Sequence, residues 1–189
     1  MNYTTNNIHN GAKIILNNDP YAIVSNEMIK PGKGQAFNRI KIRNLKTGRV
    51  IEKTFKSGEV LQAADVLELT VQYLYNDGTD WYFMNTSNFE QYIANATIIA
   101  DAKQWLIENN ECVLTLWNNE PLSIAVSNFV ELIVTDTDPG LKGDTVSTGG
   151  KSATLNTGAV IRVPLFINIG DIVKVDTRIA EYISRVKNK

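Results

Sequence analysis

The residues best suited to chemistry form one short run, Lys30 to Phe37, which reads Lys-Pro-Gly-Lys-Gly-Gln-Ala-Phe. Proline fixes one backbone angle and the two glycines free their neighbours, so we expect Lys33 at the tip of a tight, exposed loop. A nucleophilic lysine is normally desolvated, so that its amine is neutral near pH 7. An exposed Lys33 is better suited to contact or covalent modification, although a solvated turn lysine is the simpler interpretation of the spacing alone.

Other candidate motifs do not predict an enzyme. The run ending in Gly150-Lys151-Ser152 resembles a phosphate-binding loop, but the required spacing puts the first glycine at Thr145. The neighbouring aspartates lack the closing glutamate of a calcium loop. With one histidine and one cysteine, the sequence offers no zinc set and no Ser-His-Asp or Cys-His pair. The sequence therefore predicts no catalytic residues, no metal and no bound cofactor.

Composition places the chain among ordinary globular proteins, since 43% of its 189 residues are hydrophobic and 21% are charged. It has no apolar run of membrane-spanning length, and its start lacks the basic and apolar regions of a signal peptide. We therefore expect a cytoplasmic protein without a membrane partner. The single cysteine, Cys112, cannot form an internal disulfide and is interpreted as a small core residue.

The charges are divided unevenly along the chain. Residues 1–64 carry ten basic and four acidic side chains, a net charge of +6, whereas the remainder carries nine basic and sixteen acidic ones, a net charge of -7. A basic segment joined to acidic ones indicates that the first third contacts a polyanion. Ordinary variation of charge among surfaces is the alternative.

The elements that would position Lys33 are short strands separated by frequent turns. After the loop, Arg39, Lys41 and Arg43 alternate with isoleucines, so strand geometry predicts one packed face and one electropositive face. The pattern predicts three small β-barrels in a row, with boundaries at residues 1–64, 65–127 and 128–189.

Within the second barrel, five alternating side chains predict one face of a long strand: Leu67, Leu69, Val71, Tyr73 and Tyr75. A short helical turn through Phe89 and Tyr92, capped by Asn88, and a helix beginning at Asp101 are also predicted. Trp105 and Trp117 are interpreted as core residues because each lies in an apolar periodic segment.

Four stretches carry a family resemblance. Three are Lys30 to Phe37, Gln72 to Gly78 and Thr137 to Thr145; the fourth is a C-terminal set at fixed spacing, made of Lys151, Ala153, Gly158, Ile161, Val163, Pro164, Ile167 and Gly170. On these residues the chain resembles the bacterial translation elongation factor P family along essentially its whole length. The resemblance implies an all-β, L-shaped protein with an N-terminal SH3-like (KOW-like) barrel followed by two barrels of the oligonucleotide-binding (OB) type.

The resemblance also implies the activity. The family binds the ribosome between the peptidyl-tRNA and exit sites and promotes peptide-bond formation at consecutive prolines. In the branch with this loop, the tip lysine receives a β-lysyl group, often hydroxylated, from a modifying enzyme. By this resemblance the modified residue of the present chain is Lys33, in a loop supported by Pro31, Gly32 and Gly34.

The implied contacts lie in two further places. Lys30, Arg39, Lys41 and Arg43 are expected to hold tRNA or ribosomal RNA through phosphates. The small-subunit or exit-site contacts are expected at Gly143, Asp144, Thr145, Tyr182 and Arg185, with core packing as the alternative for Tyr182. The expected partners are therefore both ribosomal subunits and peptidyl-tRNA, bound by a monomer. Two alternative functions are a family paralogue that binds ribosomes without relieving proline stalls, and an enzyme that uses Lys33 as a nucleophile.

Overall fold

The computed structural model of the chain describes residues 2–138 and 150–186. These residues form sixteen strands and two short helical segments, so the described chain is nearly all β, as predicted. The chain divides into two compact units. One contains the residues up to 69 together with 114–123, and the other contains the described residues of 70–113 and 124–186.

The N-terminal barrel is built from six strands: β1 (Asn2–Thr4), β2 (Lys13–Leu16), β3 (Asp19–Ile29), β4 (Phe37–Asn44), β5 (Val50–Lys56) and β6 (Val60–Gln62). Strands β2 to β5 form an antiparallel sheet in chain order, and β1 pairs with β6. Its core includes Ile14, Ile40 and Ile42, which are completely buried. Since each buried branched side chain contributes about 1.5–3 kcal/mol, these isoleucines hold β4 firmly in place.

Burial along β4 alternates as the sequence predicts. Asn38, Ile40, Ile42 and Asn44 are buried while the residues between them are exposed. The preceding hairpin closes through Asn17 and Asn18, whose φ values of 51° and 63° give the two-residue turn that fits the strand twist.

The middle barrel begins with β7 (Val66–Asn76), β8 (Asp80–Met84) and β9 (Gln91–Asn95). It continues through α1 (Ala96–Ile99), a 3₁₀ helix (Ala100–Trp105), β10 (Glu111–Trp117) and β11 (Glu120–Ala125). The sheet order is β11-β10-β7-β8-β9.

The predicted helical turn through Phe89 and Tyr92 is wrong. Tyr92 lies in β9, and the side-chain oxygen of Asn88 accepts a hydrogen bond from the Glu90 amide inside a tight turn. The capping asparagine is Asn95, whose Oδ1 accepts from the amides of Thr97 and Ile98 at 3.0 and 3.2 Å. The pairing of β9 with β8 holds Tyr92 in a strand, so the chain after Asn88 cannot form the predicted helical turn.

The predicted single face of β7 is only partly correct. Val71 and Tyr73 are buried, but Leu67 and Tyr75 are exposed. The pairing with β8 shifts between Tyr73 and Tyr75, which face Phe83 and Tyr82 respectively. Such a β-bulge inserts one residue and turns the following side chain to the other side of the sheet.

The C-terminal barrel contains β12 (Phe129–Thr137), β13 (Gly150–Leu155), β14 (Val160–Pro164), β15 (Ile172–Asp176) and β16 (Glu181–Arg185). The sheet order is β14-β13-β12-β15-β16. Trp105 is 4% exposed and belongs to the same buried cluster as Leu132 and Ile161, so its predicted core role is confirmed. Trp117 is half-buried, so its interpretation as a core residue is only partly correct.

The run that resembles a phosphate-binding loop starts a strand instead. Residues 150–152 open β13, and Lys151 is buried, donating a hydrogen bond to the backbone oxygen of Asp138 at 2.7 Å. Because its ammonium group is bound to the backbone of its own barrel, Lys151 is not placed to bind a phosphate, as the spacing of the sequence predicts. Among the described residues, no helix combines the length and apolar character needed to cross a bilayer.

Candidate functional site: the Lys33 hairpin

Lys33 lies at the free end of the longest hairpin of the N-terminal barrel. Strand β3 has eleven residues and β4 has eight, and their last paired residues are Ile29 and Phe37. The loop of residues 30–36 continues beyond that pair, with exposed residues from 30 to 35. At about 3.3 Å per residue, Lys33 can extend at most roughly 13 Å past Ile29. The structure therefore places this amine on a protruding arm.

The two loop glycines differ in conformation. Gly34 has a φ of 109°, which residues with a side chain rarely adopt, and a Cβ there would also lie 3.8 Å from Cγ of Pro31. Gly32 has an ordinary φ and open space around it. The conformation of the loop thus favours glycine at position 34 because of its φ, while position 32 has open space for a side chain.

A buried polar network holds the base of this arm. Asn38 of β4 is 1% exposed, and its Nδ2 donates to the Thr5 backbone oxygen at 3.0 Å and to Asn26 Oδ1 at 2.9 Å. The Nδ2 of Asn26, in β3, donates to the same Thr5 oxygen at 2.8 Å. The Thr5 hydroxyl donates to the Lys56 oxygen at 2.9 Å. Both strands of the hairpin are therefore tied to the N-terminal segment.

Sequence reasoning missed this network. Asn26 and Asn38 are far apart in sequence and read as ordinary polar residues within strands. The available signal was Asn38 itself, because a polar residue in a buried position of an alternating strand needs hydrogen-bond partners. These partners became evident only from the strand pairing.

The face that carries Arg39, Lys41 and Arg43 is exposed, as predicted, but it is less electropositive than β4 alone suggests. Glu27 is the cross-strand partner of Arg39, and Glu52 is the partner of Lys41. The Arg39 Nε lies 3.4 Å from Glu52 Oε1. The electrostatic potential of this face therefore depends on the neighbouring strands, which supply two carboxylates.

The other four cations of the hairpin formed by β3 and β4 have no ion-pair partner within residues 2–138 and 150–186: Lys30, Lys33, Lys41 and Arg43. Their charges are therefore available to an external anion. Lys33 also forms no side-chain hydrogen bond with any described residue, so its amine is accessible for contact or modification.

Of the residues predicted to contact the small subunit, Gly143, Asp144 and Thr145 lie outside the described residues. Tyr182 and Arg185 lie on β16, where a register shift pairs Tyr182 with Val175 and Arg185 with Val173, so both side chains lie on one face of the sheet. Tyr182 is half-buried against the C-terminal core, in line with the packing alternative. The Arg185 guanidinium is exposed, 3.7 Å from Asp171 and 5.7 Å from the Phe166 ring centre.

The remaining reactive group is buried. Cys112 is 5% exposed, its thiol donates to the Val71 backbone oxygen at 3.6 Å, and burial raises its pKa to about 12. It is therefore a core thiol, as predicted. Across the two described ranges, no cluster of three or more histidines, cysteines or carboxylates is arranged to hold a metal ion.

Three family models match the chain in order. The elongation factor P KOW-like domain matches residues 4–61, the elongation factor P OB domain matches residues 66–124, and the elongation factor P C-terminal model matches residues 130–185. The chain belongs to the elongation factor P family. This family consists of translation factors, and they are not enzymes.

Solved structures support the same fold at low sequence identity. Eukaryotic translation initiation factor 5A from Methanococcus jannaschii is 17% identical with a TM-score of 0.54, and the match covers 66% of this chain and 92% of that chain. A translation initiation factor eIF-5A family protein from Naegleria fowleri is 15% identical with a TM-score of 0.50, covering 67% and 98% respectively. The elongation factor P fold of this chain thus recurs, over about two thirds of its length, in those proteins.

Proposed function

We propose that this chain binds the ribosome between the peptidyl-tRNA and exit sites and promotes peptide-bond formation at consecutive prolines. In this proposal Lys33 carries a β-lysyl group and reaches the end of peptidyl-tRNA. The observation that carries the proposal is the exposed Lys33 amine, unpaired among the described residues, at the end of a hairpin whose base is held by Asn26 and Asn38. A hairpin that is anchored at its base restricts the region that its tip can reach, which favours orientation of a bound substrate.

The basic residues near the arm would supply the binding energy. Lys30, Lys41 and Arg43 are free of internal partners among the described residues and would contact phosphates of tRNA or ribosomal RNA. Arg39 would contribute less, because Glu52 already neutralises part of its charge. Such contacts fix position without reading sequence.

The protein would accelerate peptide-bond formation by orienting peptidyl-tRNA. Proline is a poor partner in peptide-bond formation because its ring restricts the backbone, and stabilising a reactive alignment recovers rate. A β-lysyl group would lengthen the Lys33 arm and add a second amine. No proton transfer by this chain is required, which agrees with a family of non-enzymatic translation factors.

The C-terminal barrel would contact the small subunit near the exit-site codon. Gly143, Asp144 and Thr145 are proposed to make this contact together with Arg185, whose guanidinium is exposed. Tyr182 would support the strand from the core side. The protein would act as a monomer in the cytoplasm.

A reconstituted translation reaction tests this function. Wild-type protein should raise the yield from a message with three consecutive prolines and leave a proline-free message unchanged. Lys33→Ala should lose the effect on the first message, and Lys33→Arg should lose most of it, because arginine keeps the charge but lacks the amine that is modified. Lys53→Ala, an exposed lysine of β5, is the matched control.

The outcomes separate the alternatives. Equal rescue by wild type and Lys33→Ala would contradict the proposal. Ribosome binding without rescue by the modified wild type would identify a paralogue with a different role. Intact-mass measurement of protein from its native host tests the modification itself, since a mass equal to that of the bare chain would oppose it.

A further inference from the structure

The outer face of the middle sheet presents an exposed row of aromatic and aliphatic side chains. Tyr75 pairs with Tyr82 and Tyr82 pairs with Ile93, so these residues share one face of β7, β8 and β9. Tyr75 is 48% exposed and Ile93 is 54% exposed. The two tyrosine rings stack with centroids 4.6 Å apart and planes inclined by 16°. We call these three residues, with Asp77 and Asp80, the tyrosine face.

The bulge in β7 creates this face. Without it, the alternation of the strand would bury Tyr75 with Tyr73 and Val71. The hydroxyl of Tyr82 then donates to Asp77 Oδ2 at 2.8 Å, which fixes the second ring. A bulge that exposes a large aromatic ring has a stability cost, and bulges commonly redirect side chains at functional places.

The surrounding charge is strongly negative. Residues 65–127 contain nine acidic side chains and one basic side chain, Lys103. Lys103 lines a cavity with Tyr73 and Trp81. Trp81 neighbours Tyr82 in β8, so its side chain points to the other side of the sheet. Asp80 precedes Tyr82 by two residues on the same strand and shares its face. Among the residues that the structure describes, no basic side chain forms an ion pair with Asp77 or Asp80.

We propose that the tyrosine face docks a lysine- and arginine-rich segment of a protein. Stacked tyrosines attract cations through their ring faces, and neighbouring carboxylates add hydrogen-bond acceptors. Tyrosine is enriched in protein interfaces, whereas phosphates of RNA and anionic membranes are repelled by this charge. The inference rests on the proposed function, which brings the chain to a particle containing both RNA and protein.

Charge reversal distinguishes the two kinds of partner by the sign of its effect. A cation added to a factor that meets RNA tightens binding, whereas a cation added against a basic protein segment weakens it. Asp80→Lys should therefore weaken equilibrium binding of the full chain to purified, salt-washed ribosomes by roughly tenfold. Tyr75→Ser should act in the same direction, and Tyr75→Phe should retain wild-type binding because the ring is kept.

Two controls make the result specific. Asp101→Lys adds the same charge to the 3₁₀ helix and should leave binding within about twofold of wild type. Urea unfolding checks that Asp80→Lys is folded. Unchanged or tighter binding of Asp80→Lys would overturn the inference alone. Failure of the wild-type chain to bind ribosomes would instead contradict the proposed function.

Crosslinking identifies the occupant. A photoreactive benzophenone amino acid at position 93 should give, on purified ribosomes, an adduct that protease destroys and ribonuclease does not. Mass spectrometry should locate the adduct in a basic segment of a ribosomal protein. An adduct with RNA, an adduct between two copies of this chain, or the absence of any adduct would each overturn the inference.

Discussion

The Lys46 ammonium group lies 4.8 Å from the centre of the Trp117 ring. The same group donates a hydrogen bond to Asp19 Oδ1 at 2.6 Å, which lowers the pKa of that carboxyl below its usual value. Lys46 lies in the turn between β4 and β5, and Trp117 ends β10, both within the first compact unit. One cation therefore joins the sheet that carries Lys33 to a strand of the middle barrel.

This contact should be measurable as a coupling energy. In a double-mutant cycle of Lys46→Met with Trp117→Leu, we expect a coupling of about 0.5–1 kcal/mol, the usual value for a partly exposed cation over an aromatic ring. Urea unfolding of the four proteins gives the number. A parallel cycle with Phe55→Leu, a buried ring of β5 for which no contact with Lys46 is seen, should give none. Equal values in both cycles would refute a direct contact.

Loss of the buried network should destabilise the arm's base. Asn38→Ala removes the donor to both Thr5 and Asn26, so we expect a loss of about 1–3 kcal/mol in the free energy of unfolding. Thr54→Ala, an exposed position opposite Arg39, should change it by less than about 0.5 kcal/mol. A loss no larger than that of the control would show that Asn38 does not support the hairpin.

The two loop glycines should respond differently to the same substitution. Gly34→Ala forces a side chain onto a φ of 109°, where we expect a conformational cost of about 1–2 kcal/mol, so the loop should rearrange. Rescue of proline-rich messages should fall severalfold. Gly32→Ala, with open space and an ordinary φ, should stay close to wild type. If both variants lost rescue to the same extent, the backbone conformation at Gly34 would not be the reason.

The ion pair between Arg39 and Glu52 should restrain ribosome binding. Glu52→Gln frees the Arg39 guanidinium, so ribosome binding should tighten. The slope of log binding constant against log salt concentration should become steeper by up to the contribution of one phosphate contact. Replacing Lys41 and Arg43 with alanine should flatten the slope by about two contacts. Measuring the dissociation constant at several salt concentrations tests both changes. An unchanged slope in the second variant would exclude this face from the interface.

The periodic parts of the fold could be predicted from the sequence. The alternation in β4 could be predicted without knowing the neighbouring strands, because its isoleucines and its cations occupy alternate positions and therefore lie on opposite faces. The loop around Lys33 was predictable for a similar reason, since proline and glycine act locally. Exposure of Lys33 followed from those residues alone.

Features that depend on pairing between strands could not be predicted. The alternation of β7 does not reveal the register shift that exposes Tyr75. The prediction of a cap at Asn88 was wrong because the residues that follow it pair as β9, and the observed cap is Asn95. The hydrogen bonds of Asn38 and the ion pair between Arg39 and Glu52 could not be predicted for the same reason. In each case the deciding partner is a residue on another strand.

In the proposed function, Lys33 acts by positioning peptidyl-tRNA after the protein has bound. Single-turnover formation of a proline–proline bond, measured on stalled ribosomes at saturating protein, tests it most directly. We expect Lys33→Ala to bind ribosomes within about threefold of the modified wild type and yet give the slow rate observed without protein. A Lys33→Ala rate equal to that of wild type at saturation would contradict the account.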